Sequence, residues 1–453
     1  MSYILPLEPR PPGSTIPLTA TQRTWWHTLL REETQRSPFR NIAASLRLSG
    51  PLHVARLERS IESVLHRHEA LRIRISHLDA QEPPSQIVDP RRPYHLAPID
   101  LTHCPPRDSE QIARRLGKEF LSERVDLREG PVFDARLLKV SATDHVLMLA
   151  LDHIISDATS YAILTREILS SLSDEPTSTE LAEPTLQFPD YAVWHCKTDD
   201  IWRTRHEPYW TDKLSRTPRV SVPEDSAATG AVPPESDTMQ VPIGKKLTAA
   251  LRDIARHESC LVPMILLSLY AVIMSKWVER NDLLINFISH GRHSHPELRD
   301  MIGCFAHPVF LRVDIHPRES LRDLLKRVTS ELHSSLAHDA CRVLATPDGP
   351  TEVYFNWLPS EWGPSGAFPS AAQSTGHFGG RLTIRRFPIG KPVCPKFAPA
   401  FTDTPSGIVA VIWYNGDLFL RSTMDRFAAQ LQQLLSRFVR DPNTALSSVD
   451  LSI

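Results

Sequence analysis

The chain lacks four things that would each point to a particular class of protein: an excess of one charge, paired cysteines, a long apolar run and abundant glycine. Its 453 residues carry 51 Lys and Arg against 53 Asp and Glu, a formal net charge of −2. Such a balance offers no field to draw in nucleic acid or an anionic membrane, so neither is expected as a partner. The six cysteines, at 104, 196, 260, 304, 341 and 394, form no CxxC pair. In a chain this long they read as buried small apolar residues in a reducing compartment. Met1 to Thr15 shows no basic start followed by an apolar run, so a secretory signal is not expected and a cytoplasmic location is. The most apolar stretch, Leu261 to Trp277, is short for a bilayer span. It carries Ser268, Ser275 and Lys276, which suits a buried helix. Glycine is sparse at 17 and proline plentiful at 39, a balance that favours stiff loops.

What is present is ordinary globular composition, 41% hydrophobic and 23% charged, at a length beyond one hydrophobic core. Two lobes are expected, at 1–178 and 179–453. Apolar residues at Val54, Leu57, Ile61, Val64 and Leu65 have helical spacing. Helices are also expected over Thr19–Thr34, Gln111–Ser122, Ala158–Leu172, Lys246–Glu258, Pro263–Trp277, Ser320–Ala337 and Thr423–Arg440. Strands are expected over Leu71–Ile75, Phe133–Val140, Val146–Leu151, Leu283–Ile288, Val309–Ile315 and Val353–Trp357. Val146–Leu151 is unbroken in its apolar character, as in a strand buried on both faces. Ile408–Tyr414 and Leu418–Arg421 read as a hairpin turned by Asn415-Gly416-Asp417. Asp174–Pro189, Thr217–Asp237 and Pro359–Ala400 read as irregular segments, the first as the crossing between lobes. The alternation of strands and helices in both halves implies a mixed α/β fold. The scattered Trp and Phe residues read as core.

The chemistry-bearing segment runs from Leu147 to Tyr161. A buried strand ends in Asp152-His153, Asp157 follows four residues on, and a helix begins. A histidine at the end of a buried strand is held by rigid backbone, which suits a group that must meet a substrate in one geometry. A His beside an Asp is also a common hydrogen-bonded structural pair, and the segment alone leaves both readings open.

The segment resembles the HHxxxDG motif of nonribosomal peptide synthetase condensation domains, which belong to the chloramphenicol acetyltransferase-like superfamily. Further stretches resemble that family's motifs in the same order. They are Pro17 to Trp25, Arg67 to Arg72, Phe188 to Trp194, and Ile302 to Pro308 leading into Leu311 to Asp314. Ser289-His-Gly-Arg292 sits where the family carries a Gly-Arg, and Asp441 to Ser447 resembles the family's end. The likeness spans about residues 15 to 451. It departs at Asp152, which replaces the first His, and at Ala158, which replaces the Gly. Only His338-Asp339 remains of a later His-Gln-Asp pattern.

The resemblance implies two acetyltransferase-like lobes in a V-shaped pseudo-dimer with a central tunnel. It implies a free-standing enzyme that joins a carrier-bound acyl thioester to an amine or alcohol acceptor. Acyl or peptidyl carrier proteins are the implied partners, together with a small-molecule or carrier-bound acceptor. Substrates would ride on the phosphopantetheine of separate carriers, with no other cofactor and no metal. His153 takes the catalytic place, and Asp157 is implied to pair with Arg292 and so link the motif loop to the second lobe. Ala158 keeps a backbone N–H able to meet a developing oxyanion. Asn356, on its expected strand, is a candidate tunnel residue by the same analogy. No GxSxG elbow exists, so an acyl-enzyme on serine is not expected. His290, His293 and His295 match no common zinc spacing and read as loop. Two other readings stand beside condensation: a non-catalytic docking or recruitment domain, and a heterocyclisation domain. Asp152, Asp157 and Ser160 spell DxxxxDxxS, which resembles the motif of the latter.

Overall fold

The computed structural model describes residues 5–31, 41–76, 83–123, 127–172, 183–215, 217, 220–225, 236–293, 295–338, 342, 352–358, 377–378, 382–387 and 396–451. The chain divides into two compact units. The first comprises Met1–Asp200, His290–Ala306 and Ala367–Gly390; the second comprises Ile201–Ser289, His307–Gly366 and Lys391–Ile453. The division expected at residue 178 thus falls at Asp200, and two later segments return to the first unit. Local periodicity announces an element but not the sheet it will join.

The first unit begins with β1 (Ile16–Pro17), α1 (Ala20–Arg31), β2 (Asn41–Ser49), α2 (Val54–Arg67), β3 (Ile73–Ser76) and β4 (Ser85–Val88). It continues with β5 (Ile99–Asp100), α3 (Pro106–Ser122), β6 (Phe133–Ser141), β7 (Asp144–Asp152), α4 (Ala158–Ser170) and α5 (Phe188–Lys197). Helix α6 (Asp199–Arg205) crosses into the second unit. There follow α7 (Glu207–Leu214), β8 (Ser236–Pro242), α8 (Lys245–His257), α9 (Val262–Trp277), β9 (Asp282–Ser289), β10 (His307–Asp314), α10 (Leu321–Ala337) and β11 (Tyr354–Leu358). Strands β12 (His377–Phe378) and β13 (Leu382–Arg386) rejoin the first unit. Strands β14 (Phe397–Thr404) and β15 (Gly407–Asn415) and helix α11 (Arg421–Arg440) complete the second.

Each unit is built on a six-stranded mixed sheet, ordered β12-β13-β2-β7-β6-β5 in the first and β10-β9-β11-β14-β15-β8 in the second. A small β1-β4-β3 sheet completes the first unit. Strand β7 lies between β2 and β6, antiparallel to both, and every residue from His145 to Asp152 is buried. Its apolar run is therefore the run of a strand covered on both faces. In α2 the helical spacing puts Leu57, Ile61 and Val64 in the core, and the helix packs on α4. Helix α9 runs through the core of the second unit with Met264 to Ser275 all buried. Among the described residues no single helix is long and apolar enough to cross a bilayer.

Several expectations are corrected. Leu71 belongs to a 3-10 turn, Glu69–Arg72, and the strand starts at Ile73. Leu418–Arg421 is not a strand: β15 pairs with β14 across Pro405-Ser406, and Asn415 turns the chain toward α11 by accepting the Asp417 N–H at 2.8 Å. The segment Pro359–Ala400 contains β12, β13 and the start of β14. Its residues 359–376, 379–381 and 388–395 lie outside the described residues, as do 174–182 of the expected crossing. Cys304 is buried, but Cys104 and Cys260 are half-buried and Cys196 is exposed, because α5 turns that face outward. Cys341 and Cys394 lie outside the described residues.

Candidate active site

Strand β7 delivers Asp152 and His153 at its end. The backbone then makes one 3-10 turn, His153–Ile155, before α4 starts. Asp152 caps that turn: its Oδ1 accepts the Ile154 N–H at 2.8 Å, and the Ser156 hydroxyl donates to the Asp152 carbonyl at 2.8 Å. The short side chain of Asp suits this local capping.

Asp157 is the N-cap of α4 and is 1% exposed on its side chain. Its Oδ1 accepts from the Ser160 N–H at 2.8 Å, from the Ser160 hydroxyl at 2.8 Å and from Arg292 at 3.0 Å. Its Oδ2 accepts from Arg292 at 2.6 Å and from the backbone N–H groups of Phe305 at 3.1 Å and Ala306 at 3.2 Å. A carboxylate offers about four lone-pair directions, so six donors saturate it. Burial alone would raise this carboxyl, but the Arg292 charge and the hydrogen bonds from Arg292 and Ser160 outweigh it and hold the pKa below the ordinary value. Asp157 is thus a fixed anion without a free lone pair for proton transfer.

Arg292 reaches this site from the connection between β9 and β10. Besides Asp157 it donates to the Ser160 hydroxyl at 3.0 Å, to the Met301 carbonyl at 3.2 Å and to the His290 carbonyl at 3.2 Å. Its guanidinium lies 4.4 Å from the centre of the Phe305 ring. The expected Asp157–Arg292 pair is present, but both partners belong to the first unit. The pair therefore binds segment 290–306 to the motif within the first unit.

The same segment explains two other stretches read as motifs. Gly303 approaches so closely that a Cβ there would stand 2.2 Å from the Phe188 ring and 2.6 Å from the Phe305 ring. Only glycine fits that approach. Phe188, at the start of α5, meets Phe305 edge-on at 5.3 Å, and Tyr191 lies 4.9 Å from the same ring. The Arg67 to Arg72 stretch braces the other side. His68 is 2% exposed and meets Glu167 of α4 at 2.9 Å, while the Glu69 N–H donates to Gln187 at 3.0 Å. These contacts are scaffolding for α4 and α5.

His153 stands apart from this network. Its ring lies 4.1 Å from that of Trp25, tilted by 28°. Its Nδ1 is buried and has no hydrogen-bond partner among the described residues, while part of the residue reaches the surface. Burial pushes its pKa below the ordinary 6.5, with a smaller opposing pull from backbone oxygen and Asp157. At neutral pH the imidazole is uncharged and able to accept a proton.

A family model described as Condensation domain matches residues 13–342. The chain belongs to the condensation-domain family. Chondramide synthase cmdD of Chondromyces crocatus is 27% identical over 466 residues, which cover 98% of this chain and 11% of the relative. Phosphinothricin tripeptide synthetase PhsC of Streptomyces viridochromogenes is 28% identical over 458 residues, 98% of this chain and 41% of the relative. The chain spans less than half the length of either. Among solved structures, the X-domain from teicoplanin biosynthesis superposes with a TM-score of 0.79 at 24% identity, covering 98% of this chain and 99% of that one. The first condensation domain of the CDA synthetase does so with 0.71 at 19% identity, over 97% and 100%. At such identities these structures establish the fold, the mixed α/β fold of condensation domains.

In this condensation domain the residues singled out from sequence fall into two places. Asp152, His153, Asp157, Ala158, Ser160 and Arg292 come together around the start of α4. Asn356 lies on β11 of the second unit, opposite Ile288 of β9, and its Oδ1 is buried without a partner among the described residues. His338 caps α10 and stacks on Tyr209 at 3.8 Å, and Asp339 lies outside the described residues. His295 packs edge-on against Trp194 at 4.8 Å. Sequence reasoning passes over Trp25 and Cys304. Trp25 reads as core, yet it is half-exposed and covers the imidazole. Its position in the first motif-like stretch is the available signal.

Proposed function

We propose that this condensation domain is catalytic. It joins an acyl group, held as a thioester on the phosphopantetheine of a carrier protein, to an amine or alcohol acceptor, and needs no further cofactor. The observation that supports this is His153: a neutral imidazole, on a residue that is only partly buried, at a rigid strand end beside a motif whose carboxylate is fully occupied. In the reaction the acceptor's N–H or O–H gives its proton to the imidazole as nitrogen or oxygen bonds to the thioester carbon. The C–S bond breaks, and the proton passes to the departing thiolate, so His153 ends as it began. In this reading the backbone N–H at Ala158, the first residue of α4, stabilises the developing oxyanion.

The recruitment reading draws on Asp152, which replaces the motif's first His, and on the teicoplanin X-domain, whose structure has also been solved in complex with OxyB. The cyclisation reading needs Asp157 to act on substrate, and the saturation of that carboxylate speaks against it. The test is incubation with acyl-pantetheine thioesters and amine or alcohol acceptors, followed by mass spectrometry. Condensed product is expected from the parent and is reduced about 100-fold or more in His153→Ala with its melting curve retained. Binding of a carrier or partner enzyme without turnover by the parent would favour recruitment instead.

A further inference from the structure

Catalytic histidines are ordinarily aimed by a hydrogen bond on the ring nitrogen that does not meet substrate. The buried Nδ1 of His153 makes no well-formed hydrogen bond among the described residues; only the backbone oxygens of His153 and Ser156 lie near the ring, with an effect smaller than that of burial. Rotation about its Cβ–Cγ bond must then be restricted by packing. The one ring against it among the described residues is Trp25 of α1, at 4.1 Å and 28°. Helix α1 packs on the 3-10 turn that carries His153, so indole and imidazole are presented by adjoining elements.

We propose that Trp25 is the positioning residue of His153: its indole face, not a hydrogen-bonded carboxylate, sets the plane in which the imidazole meets substrate. This rests on the catalytic reading of His153.

The position of Trp25 is itself held. Its indole N–H, the only donor of that side chain, lies near enough to the buried thiol of Cys304 to oppose slightly the rise in thiol pKa that burial causes. Cys304 lies between Gly303, whose N–H donates to the Ser160 hydroxyl at 3.0 Å, and Phe305, whose N–H donates to Asp157 at 3.1 Å. The network that makes Asp157 a fixed anion therefore reaches His153 by a second path, through Cys304 and Trp25. Burial holds the Cys304 thiol protonated, which suits a fixed neutral partner better than a reactive one. A flat aromatic surface also brings no charge to the imidazole, as suits a group that accepts and then returns a proton.

The test compares Trp25→Leu, which removes the ring, with Trp25→Phe, which keeps a ring but loses the N–H, and with Cys304→Ala. Two readouts are used. The first is steady-state kinetics with an acyl-pantetheine donor. Trp25→Leu is expected to lower kcat by about 10–100-fold with KM changed less than about 3-fold, and Trp25→Phe to restore most of it. The second needs no turnover: NMR of protein labelled at histidine Cε1, with the His153 signal assigned from its absence in His153→Gln. In Trp25→Leu that signal is expected to lose the ring-current shift imposed by the indole, and in Trp25→Phe to keep part of it. Thermal melting shows that each variant is folded. A His153 signal unmoved in folded Trp25→Leu overturns the inference whether or not the protein turns over. So does a parent-like kcat in Trp25→Leu when His153→Ala is inactive, and that result leaves the catalytic reading intact. Absence of turnover in the parent removes the catalytic reading and the inference with it.

Discussion

The Asp157–Arg292 pair offers a prediction whose size follows from geometry. Asp157→Ala removes the acceptor for six hydrogen bonds and leaves the Arg292 guanidinium, 8% exposed on its side chain, without its anion. Stripping one partner from a buried pair costs about 3–5 kcal/mol, because the remaining charge stays desolvated. Loss of the α4 N-cap adds about 1 kcal/mol. A unit of this size loses about 2–4 °C per kcal/mol, so a fall of about 8–24 °C is expected in the melting of the first unit. Arg292→Ala should cost a similar amount. The double variant should cost much less than the two losses added, since it leaves no orphaned charge. Circular dichroism melting of the four proteins closes the cycle. Single variants that melt within about 2 °C of the parent, or a strictly additive double variant, would refute the reasoning. The pair also sets an acid limit. The Asp157 carboxyl lies below its ordinary 3.8 in the folded chain, so its contribution is complete above that pH and is lost as the pH falls through the depressed folded value.

Three further outcomes are expected. Asp152→Asn should keep most activity and cost about 1 kcal/mol, because Asp152 Oδ1 accepts from the Ile154 N–H and an amide oxygen can do the same; loss of product formation with the fold intact would give Asp152 a chemical role. Gly303→Ala should destabilise by about 1–3 kcal/mol through overpacking against Phe188 and Phe305, measured by chemical denaturation, and a neutral result would contradict the close approach. The acid limb of the kcat/KM profile should lie below 6.5, because burial depresses His153 more than the Asp157 charge raises it, and only the neutral ring accepts a proton. A limb above 6.5 would mean that a carboxylate, not burial, governs the ring.

Much of the site was legible because its determinants are local. Strand β7 is a run of apolar residues, the turn after it is two residues of capping chemistry, and Ser160 stands three residues from Asp157, where an N-cap hydroxyl and carboxylate meet. The hairpin at Asn415 was misread for an equally local reason: an Asn-Gly-Asp turn looks the same whether a strand or a helix follows. Helices α5 to α7 escaped periodicity because they are short, and two begin with a proline in the first turn that looks like loop. Strand β13 was hidden in a Pro- and Gly-rich stretch, and its partner β2 lies more than 300 residues earlier.

That Asp157 pairs with an arginine 135 residues later was implied by the family resemblance, whereas the sequence by itself determined the mixed α/β class and the strand-end Asp152-His153. It could do so because spacing and capping act through residue type alone. Tertiary structure decided which surroundings those residues received. It put segment 290–306 in the first unit, filled every lone pair of Asp157, and set a half-exposed tryptophan rather than a hydrogen bond against the imidazole. Such choices depend on which distant segments pack together, and no local pattern in the chain encodes that.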